Sequence, residues 1–114
     1  KKVWQACLAE MDAANLAGHF HNTYGMAIAN IYQSLEQGIR VFDSSIAGLG
    51  GCPYAKGASG NVSTEDLYYL LSNMGYDTGI DLDALMIASQ NISQVLQRTN
   101  PSNYANAYWQ KRCA

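Results

Sequence analysis

The strongest constraint on the fold is an alternation of helical and strand patterns with almost no chain left between them. Val3, Trp4, Cys7, Leu8 and Met11 recur at helical spacing, which predicts an amphipathic helix from Lys2 to about Asn15, packed by that stripe. The run Leu16-Ala17-Gly18-His19-Phe20-His21 is too brief for a helix and reads as a buried strand. Asn22 and Thr23 then start a helix from Tyr24 to Gln37, with Ile28, Ile31 and Leu35 on its buried face and Gly38 where a C-terminal glycine belongs. Ile39 to Asp43 is a second short strand. Strands separated by a helix, with connections of only a few residues, pair in parallel as βα units.

Further along, Thr64 is placed to cap a helix whose first turn carries Glu65 and Asp66, acids that suit the positive end of the helix dipole, and Leu67, Leu70, Leu71 and Met74 form its buried face. Asp81 caps another helix to about Gln97, buried along Leu82, Leu85, Ser89, Ile92 and Leu96. Asn100-Pro101 opens a last helix carrying Tyr104, Tyr108 and Trp109. Two parallel strands alone do not make a sheet covered on both faces, and a closed eight-stranded βα barrel takes about 250 residues. At 114 residues the chain is therefore expected to be α/β and to supply the last two βα units of a (β/α)8 barrel plus its closing helices, residues 1–114 being the C-terminal part of one domain. Its opening, KKVWQACLAEM, lacks an initiator Met and already reads as helix, so it reads as the tail of something longer.

Between the second strand and the next helix lies SSIAGLGGCPYAKGASGN, Ser44 to Asn61, which holds five of the ten glycines. No register supplies the Gly, four residues, Gly-Lys-Ser/Thr of a phosphate loop, and Pro53 stands where a dinucleotide fingerprint needs its third glycine. A net charge of −2 and scattered basic residues argue against a nucleic-acid surface, and no apolar run approaches the roughly 20 residues of a membrane span. Three widely separated cysteines, Cys7, Cys52 and Cys113, fit a reducing compartment better than a disulfide scaffold.

The chemistry-bearing residues cluster at one end of the strands. His19 and His21 are two apart on a strand, so their imidazoles share a face and Phe20 turns away. In a bare His-x-His one ring is more often a hydrogen-bonded core histidine than half of a metal grip, but both lie at the C-terminal end of their strand, where parallel barrels place their active sites. Cys52 sits in the loop expected to overhang the same mouth. Asn61 closes that loop, as a turn residue or as an oxygen donor. Asp43 ends its strand, either orienting a histidine or held by Ser44 or Ser45; Lys56 is a solvated lysine or a contact for an anionic substrate tail. The tyrosines near the C-terminus suit packing or subunit contacts.

The run SIAGLGGCPYAKGASGN, with HFHNTYG before it and NVSTEDLYYLL and TGIDL after it, resembles the C-terminal part of the 3-hydroxy-3-methylglutaryl-CoA lyase family. That resemblance implies a divalent-metal lyase on a (β/α)8 barrel that splits the hydroxymethylglutaryl thioester into acetoacetate and acetyl-CoA. It implies His19 and His21 as metal ligands, Asn61 as an oxygen ligand, Cys52 as the loop cysteine in proton transfer, Mg or Mn as the metal, and glycines that let the loop close over substrate. It further implies an acyl-CoA substrate, a homodimer at full length, no nucleic-acid or membrane partner, and a cytoplasmic or, in a eukaryote, mitochondrial location. Asn22 stands where the family carries an acid, and Phe20 where it carries a small residue. The family's remaining metal carboxylate, arginine and glutamate belong to its first two strands, so the chain alone is expected to be inactive. Cys113, near the end, is a candidate for oxidative cross-linking of subunits. The alternatives are a condensing transferase of the isopropylmalate or homocitrate synthase type, a lyase for a longer branched acyl chain, and a non-catalytic remnant.

Overall fold

The computed structural model describes residues 2–51, 57 and 59–113, and the side chain of Cys113 lies outside that description. Helix α1 (Lys2–Glu10) and a 3-10 turn (Ala13–Asn15) lead into strand β1 (Ala17–His19), and a 3-10 turn (Thr23–Gly25) leads into α2 (Ala27–Glu36) and strand β2 (Val41–Asp43). A 3-10 turn (Ile46–Gly48) begins the glycine-rich stretch, followed by α3 (Thr64–Asn73), α4 (Leu82–Val95) and α5 (Asn103–Cys113). β1 and β2 pair in parallel, with Ala17 opposite Val41, Gly18 opposite Phe42 and His19 opposite Asp43. The expected βα units are thus present in the expected order. No helix of the described residues is long and apolar enough to cross a membrane.

Strand alternation sorts the two faces. Phe42 turns to the helices and, with Phe20, packs against a core of Ala27, Ile31 and Leu35 from α2 and Val62 and Leu67 at α3. Gly18 must be glycine because a Cβ there would stand 2.7 Å from the Phe20 ring and 2.8 Å from that of Phe42. Ala17, His19, Val41 and Asp43 point the other way and are exposed.

Several boundaries differ from expectation. β1 is shorter than the apolar run because His21 leaves β2 and bridges Asn61 instead. The second helix starts at Ala27, since Tyr24 and Gly25 adopt left-handed φ of 57° and 71° and break the preceding turn; Asn22 Oδ1 still reaches over to accept from Ala27 N at 3.2 Å. Its end follows the sequence closely. Gly38, at φ 88°, donates to Leu35 O at 3.1 Å and Ile39 N to Ser34 O at 3.1 Å, a Schellman closure that seats Ile39 in the interior. Helix α3 is capped by Ser63, whose Oγ accepts from Asp66 N, because the Thr64 hydroxyl is paired with Ser44 Oγ at 2.9 Å. Met74 is partly exposed, and α4 stops at Val95 with Leu96 outside the buried face. The stripe on α1 is not buried: its Trp4 reaches α2 through a 2.7 Å bond from Nε1 to Ser34 Oγ, while Val3 is exposed.

Candidate active site at the strand ends

His19 and His21 lie side by side at the C-terminal end of β1, ring centroids 5.4 Å apart and planes at 68°. Nδ1 of each ring faces a protein oxygen. His19 Nδ1 is 3.3 Å from Asp43 Oδ2, its cross-strand neighbour, and the backbone register supplies that meeting directly. His21 Nδ1 is 3.0 Å from Ser59 O. A carbonyl oxygen only accepts, so Nδ1 of His21 carries the proton, and in the neutral ring the lone pair sits on Nε2. Second-partner contacts of this kind fix tautomer and orientation in metal-binding histidines.

Asn61 joins the pair through the backbone. Val62 N donates to Phe20 O and Asn22 N to Gly60 O, both at 3.0 Å, which makes His21 and Asn61 directly opposed residues of a non-hydrogen-bonded antiparallel pair. In such a pair the two side chains project to one side and approach closely. The Asn61 amide donates from Nδ2 to Leu49 O at 3.0 Å, and its Oδ1 is buried without a hydrogen-bond partner among the described residues. An unpartnered buried carbonyl oxygen costs on the order of 1–3 kcal/mol, so it marks a place where a donor or a cation is wanted. Imidazole nitrogens suit borderline divalent cations and an amide oxygen harder ones, so this mixed set fits a divalent metal of the kind the resemblance implies. No group of three His, Cys, Asp or Glu side chains able to enclose a metal occurs among the described residues, so the donor set offered here is the mixed one.

The return of the chain to Asn61 depends on the glycines. A Cβ on Gly60 would lie 1.9 Å from Gly48 O and 2.8 Å from Gly50 O, and one on Gly50 would lie 2.6 Å from Asn61 Nδ2. The two arms of the loop therefore cross with their backbones in contact, which is the close approach that glycine alone permits. Ser45 N donates to Val62 O and Thr64 N to Ser45 O, fastening the same crossing to the end of β2. Cys52 and Lys56 lie outside the described residues.

Sequence reasoning missed the support beneath the loop. Glu65 is fully buried, and its carboxylate accepts from Ala47 N at 3.0 and 3.2 Å, from the Ser89 hydroxyl, and from Asn100 Nδ2 at 3.4 Å. Asp66 turns instead to α5, accepting from Ser102 Oγ and Tyr104 N, both at 2.9 Å. An acid in the first turn of a helix reads as a dipole complement; only the position of Ala47, 18 residues earlier, reveals the other role.

Parallel βα units with polar donors gathered at the C-terminal strand ends are the arrangement that a portion of a (β/α)8 barrel presents. Comparison with known proteins narrows the class. The chain belongs to the HMGL-like family, whose model matches residues 2–92. It is 55% identical over 107 residues to the 3-hydroxy-3-isohexenylglutaryl-CoA/hydroxy-methylglutaryl-CoA lyase of Pseudomonas aeruginosa, covering 94% of this chain and 36% of that one. A crystal structure of hydroxymethylglutaryl-CoA lyase from Pseudomonas aeruginosa superposes with a TM-score of 0.91 at 55% identity, over 96% of this chain and 37% of that one. An Acinetobacter baumannii HMG-CoA lyase solved with coenzyme A and 3-methylmalate superposes with a TM-score of 0.86 at 42% identity, over 93% and 35%. The chain thus spans about a third of the length of the relatives it matches. Other matching relatives carry mitochondrial or cytoplasmic in their names.

Proposed function

We propose that residues 1–114 are the C-terminal part of a single TIM-barrel lyase that cleaves 3-hydroxy-3-methylglutaryl-CoA to acetyl-CoA and acetoacetate with a divalent metal, Mg or Mn. The observation that carries this reading is the buried, unpartnered Asn61 Oδ1 set opposite His21. His19 and His21 would hold the metal through Nε2, with the Ser59 carbonyl orienting the His21 ring and the Asp43 carboxylate beside that of His19, and Asn61 would add an oxygen. Such a metal, when bound, would act as a Lewis acid that eases loss of the proton from the substrate's tertiary hydroxyl, a proton this reading gives to a base outside residues 1–114; as that oxygen becomes the ketone of acetoacetate, the C2–C3 bond breaks. The electrons of that bond pass to the thioester fragment as an enolate, which must take up a proton. Cys52 is assigned that donation, since a thiol with an ordinary pKa near 8.5 holds a proton at neutral pH. What supports this reading is that Gly48 and Gly50 on one side of the Cys52 segment, and Gly60 on the other, meet in backbone contact beside Asn61.

The acyl-CoA substrate is the reading's partner, with a homodimer at barrel length and a cytoplasmic or mitochondrial setting. The name of the Pseudomonas aeruginosa relative, which pairs an isohexenylglutaryl with a methylglutaryl substrate, favours a second reading in which the longer branched acyl chain is also accepted. The test uses a barrel-length enzyme in which this chain replaces the matching segment of that relative. Acetoacetate release from hydroxymethylglutaryl-CoA and Mn2+ binding, followed by the resonance of the free ion, are expected in the parent. His21→Ala should weaken Mn2+ binding at least tenfold, as loss of a direct ligand exceeds loss of a supporting contact. Cys52→Ser should lower kcat far more than it alters KM and leave Mn2+ binding in place. Full Mn2+ affinity in His21→Ala would overturn the ligand assignment, and free CoA released from acetyl-CoA and a 2-oxo acid would establish a condensing transferase instead.

A further inference from the structure

Glu65 is a fully buried carboxylate that neither the ligand set nor the proton transfer uses. Its hydrogen-bond partners among the described residues are neutral: the Ala47 amide, the Ser89 hydroxyl and the Asn100 amide, the last also 2.6 Å from Ser89 Oγ. The target of this network is unusual. Ala47 is a non-glycine residue at φ 53°, ψ 26°, the left-handed region that L residues avoid, and it is followed by Gly48 at φ 57°. Both polar groups of Ala47 are gripped by side chains, the amide by Glu65 and the carbonyl by Arg98 at 3.2 Å, so the surroundings hold Ala47 in a conformation that it does not itself favour. The turn leads straight to Leu49, whose carbonyl accepts from Asn61 Nδ2 at 3.0 Å. With Nδ2 committed to Leu49, the other end of the amide is Oδ1, the buried and unpartnered oxygen.

We propose that Glu65 is a positioning residue for the metal site. Through Ala47 and the Ile46–Gly48 turn it places the Leu49 carbonyl, and the Leu49 carbonyl turns the Asn61 amide so that Oδ1 faces the cation. Glutamine at this position keeps the shape but replaces an acceptor with a donor, so one side of the cluster loses its match with Ala47 N or with Ser89 and Asn100. The inference rests on the ligand assignment for Asn61 and extends it into the helix behind the loop.

The test is Mn2+ affinity in the barrel-length enzyme, read from the free-ion resonance and so independent of turnover, alongside the thermal midpoint without metal. Glu65→Gln is expected to weaken Mn2+ binding about tenfold, in the range seen when a supporting partner of a ligand is lost. In an Asn61→Ala background the same change should cost no further affinity, because the two act in series. A purely structural role would lower the thermal midpoint and leave the affinity of the folded protein unchanged, and that result, or losses that add in the double variant, would overturn the proposal. Should Glu65→Gln fail to fold, Arg98→Gln removes the other grip on Ala47 while leaving Glu65 satisfied; weaker Mn2+ binding supports the proposal and unchanged binding overturns it. Loss of binding in His21→Ala with none in Glu65→Gln would sink only the positioning role, whereas full binding in both would sink the metal site itself.

Discussion

At the scale of single residues, the site is built by backbone contact as much as by side chains. Gly60 has the least room of any described glycine, with two carbonyl oxygens in the volume a methyl group would take. Gly60→Ala should therefore destabilise the protein by about 3 kcal/mol or more, since overpacking against backbone cannot be relieved by a rotamer change. Gly51 meets nothing within 4 Å among the described residues and has no positive φ, and Gly51→Ala should shift stability by less than about 0.5 kcal/mol. Urea unfolding of the two variants checks the contrast; equal effects would mean that the arms do not cross as described. The glycines were legible in sequence as a request for close approach, and the histidines as a pair on one strand face. Which glycine is indispensable was not legible, because the obstructing atoms belong to residues 10 and 12 positions away.

At the scale of elements, most helix ends obey local rules. The Gly38 closure of α2 and the Asp81 cap of α4, whose Oδ1 accepts from Ala84 N at 3.0 Å, both follow from the sequence. Gly38→Ala should cost about 1–2 kcal/mol from the left-handed φ alone, because the nearest atom to an added Cβ is an ordinary 3.8 Å away at Ala13. A thermal midpoint unchanged from the parent would contradict the Schellman assignment. Departures occur where an element's partner lies elsewhere in the chain. Thr64 reads as a cap but is paired with Ser44, so the role passes to Ser63. The strand ending at His21 reads as continuous, yet its last residue pairs with Asn61 rather than with β2. A rule that looks three or four residues ahead does not register either competitor.

At the scale of the whole molecule, α4 and α5 are tied at the surface by Asp83. Its carboxylate accepts from the Tyr108 hydroxyl and from Arg112 at 3.0 Å, while the Arg112 guanidinium lies 4.3 Å from the centre of the Tyr108 ring. The Tyr108 hydrogen bond, and then the Arg112 charge, hold the Asp83 carboxyl below the usual aspartate range, and the same bond pushes the Tyr108 phenol upward. A depressed acid contributes stability that is present above its unfolded pKa near 3.9 and is lost as pH falls through the lower folded value. The raised phenol works in the opposite sense, its contribution complete below about pH 10 and lost above the folded value. The difference in thermal midpoint between the parent and Asp83→Asn should accordingly be steady from pH 5 to 9 and shrink as pH drops below about 4. A difference that persists at pH 2 would show that the carboxylate charge is not what joins the helices.

Patterns with a period of two or of 3.6, caps, and the shortness of the connections are properties of neighbouring residues, so the α/β class, the parallel βα order and the placement of His19 and His21 at a strand end were all readable without coordinates. The pairing of His19 with Asp43 followed once the register was known, because residues level with one another on parallel strands share a face. What depended on the folded chain was every relation across a long span: Asn61 set against His21, its amide turned by Leu49, and Glu65 reaching the backbone of Ala47. Those relations exist because two loop arms cross and a helix closes over them, and the energy of a buried polar contact is set by which distant group arrives to satisfy it.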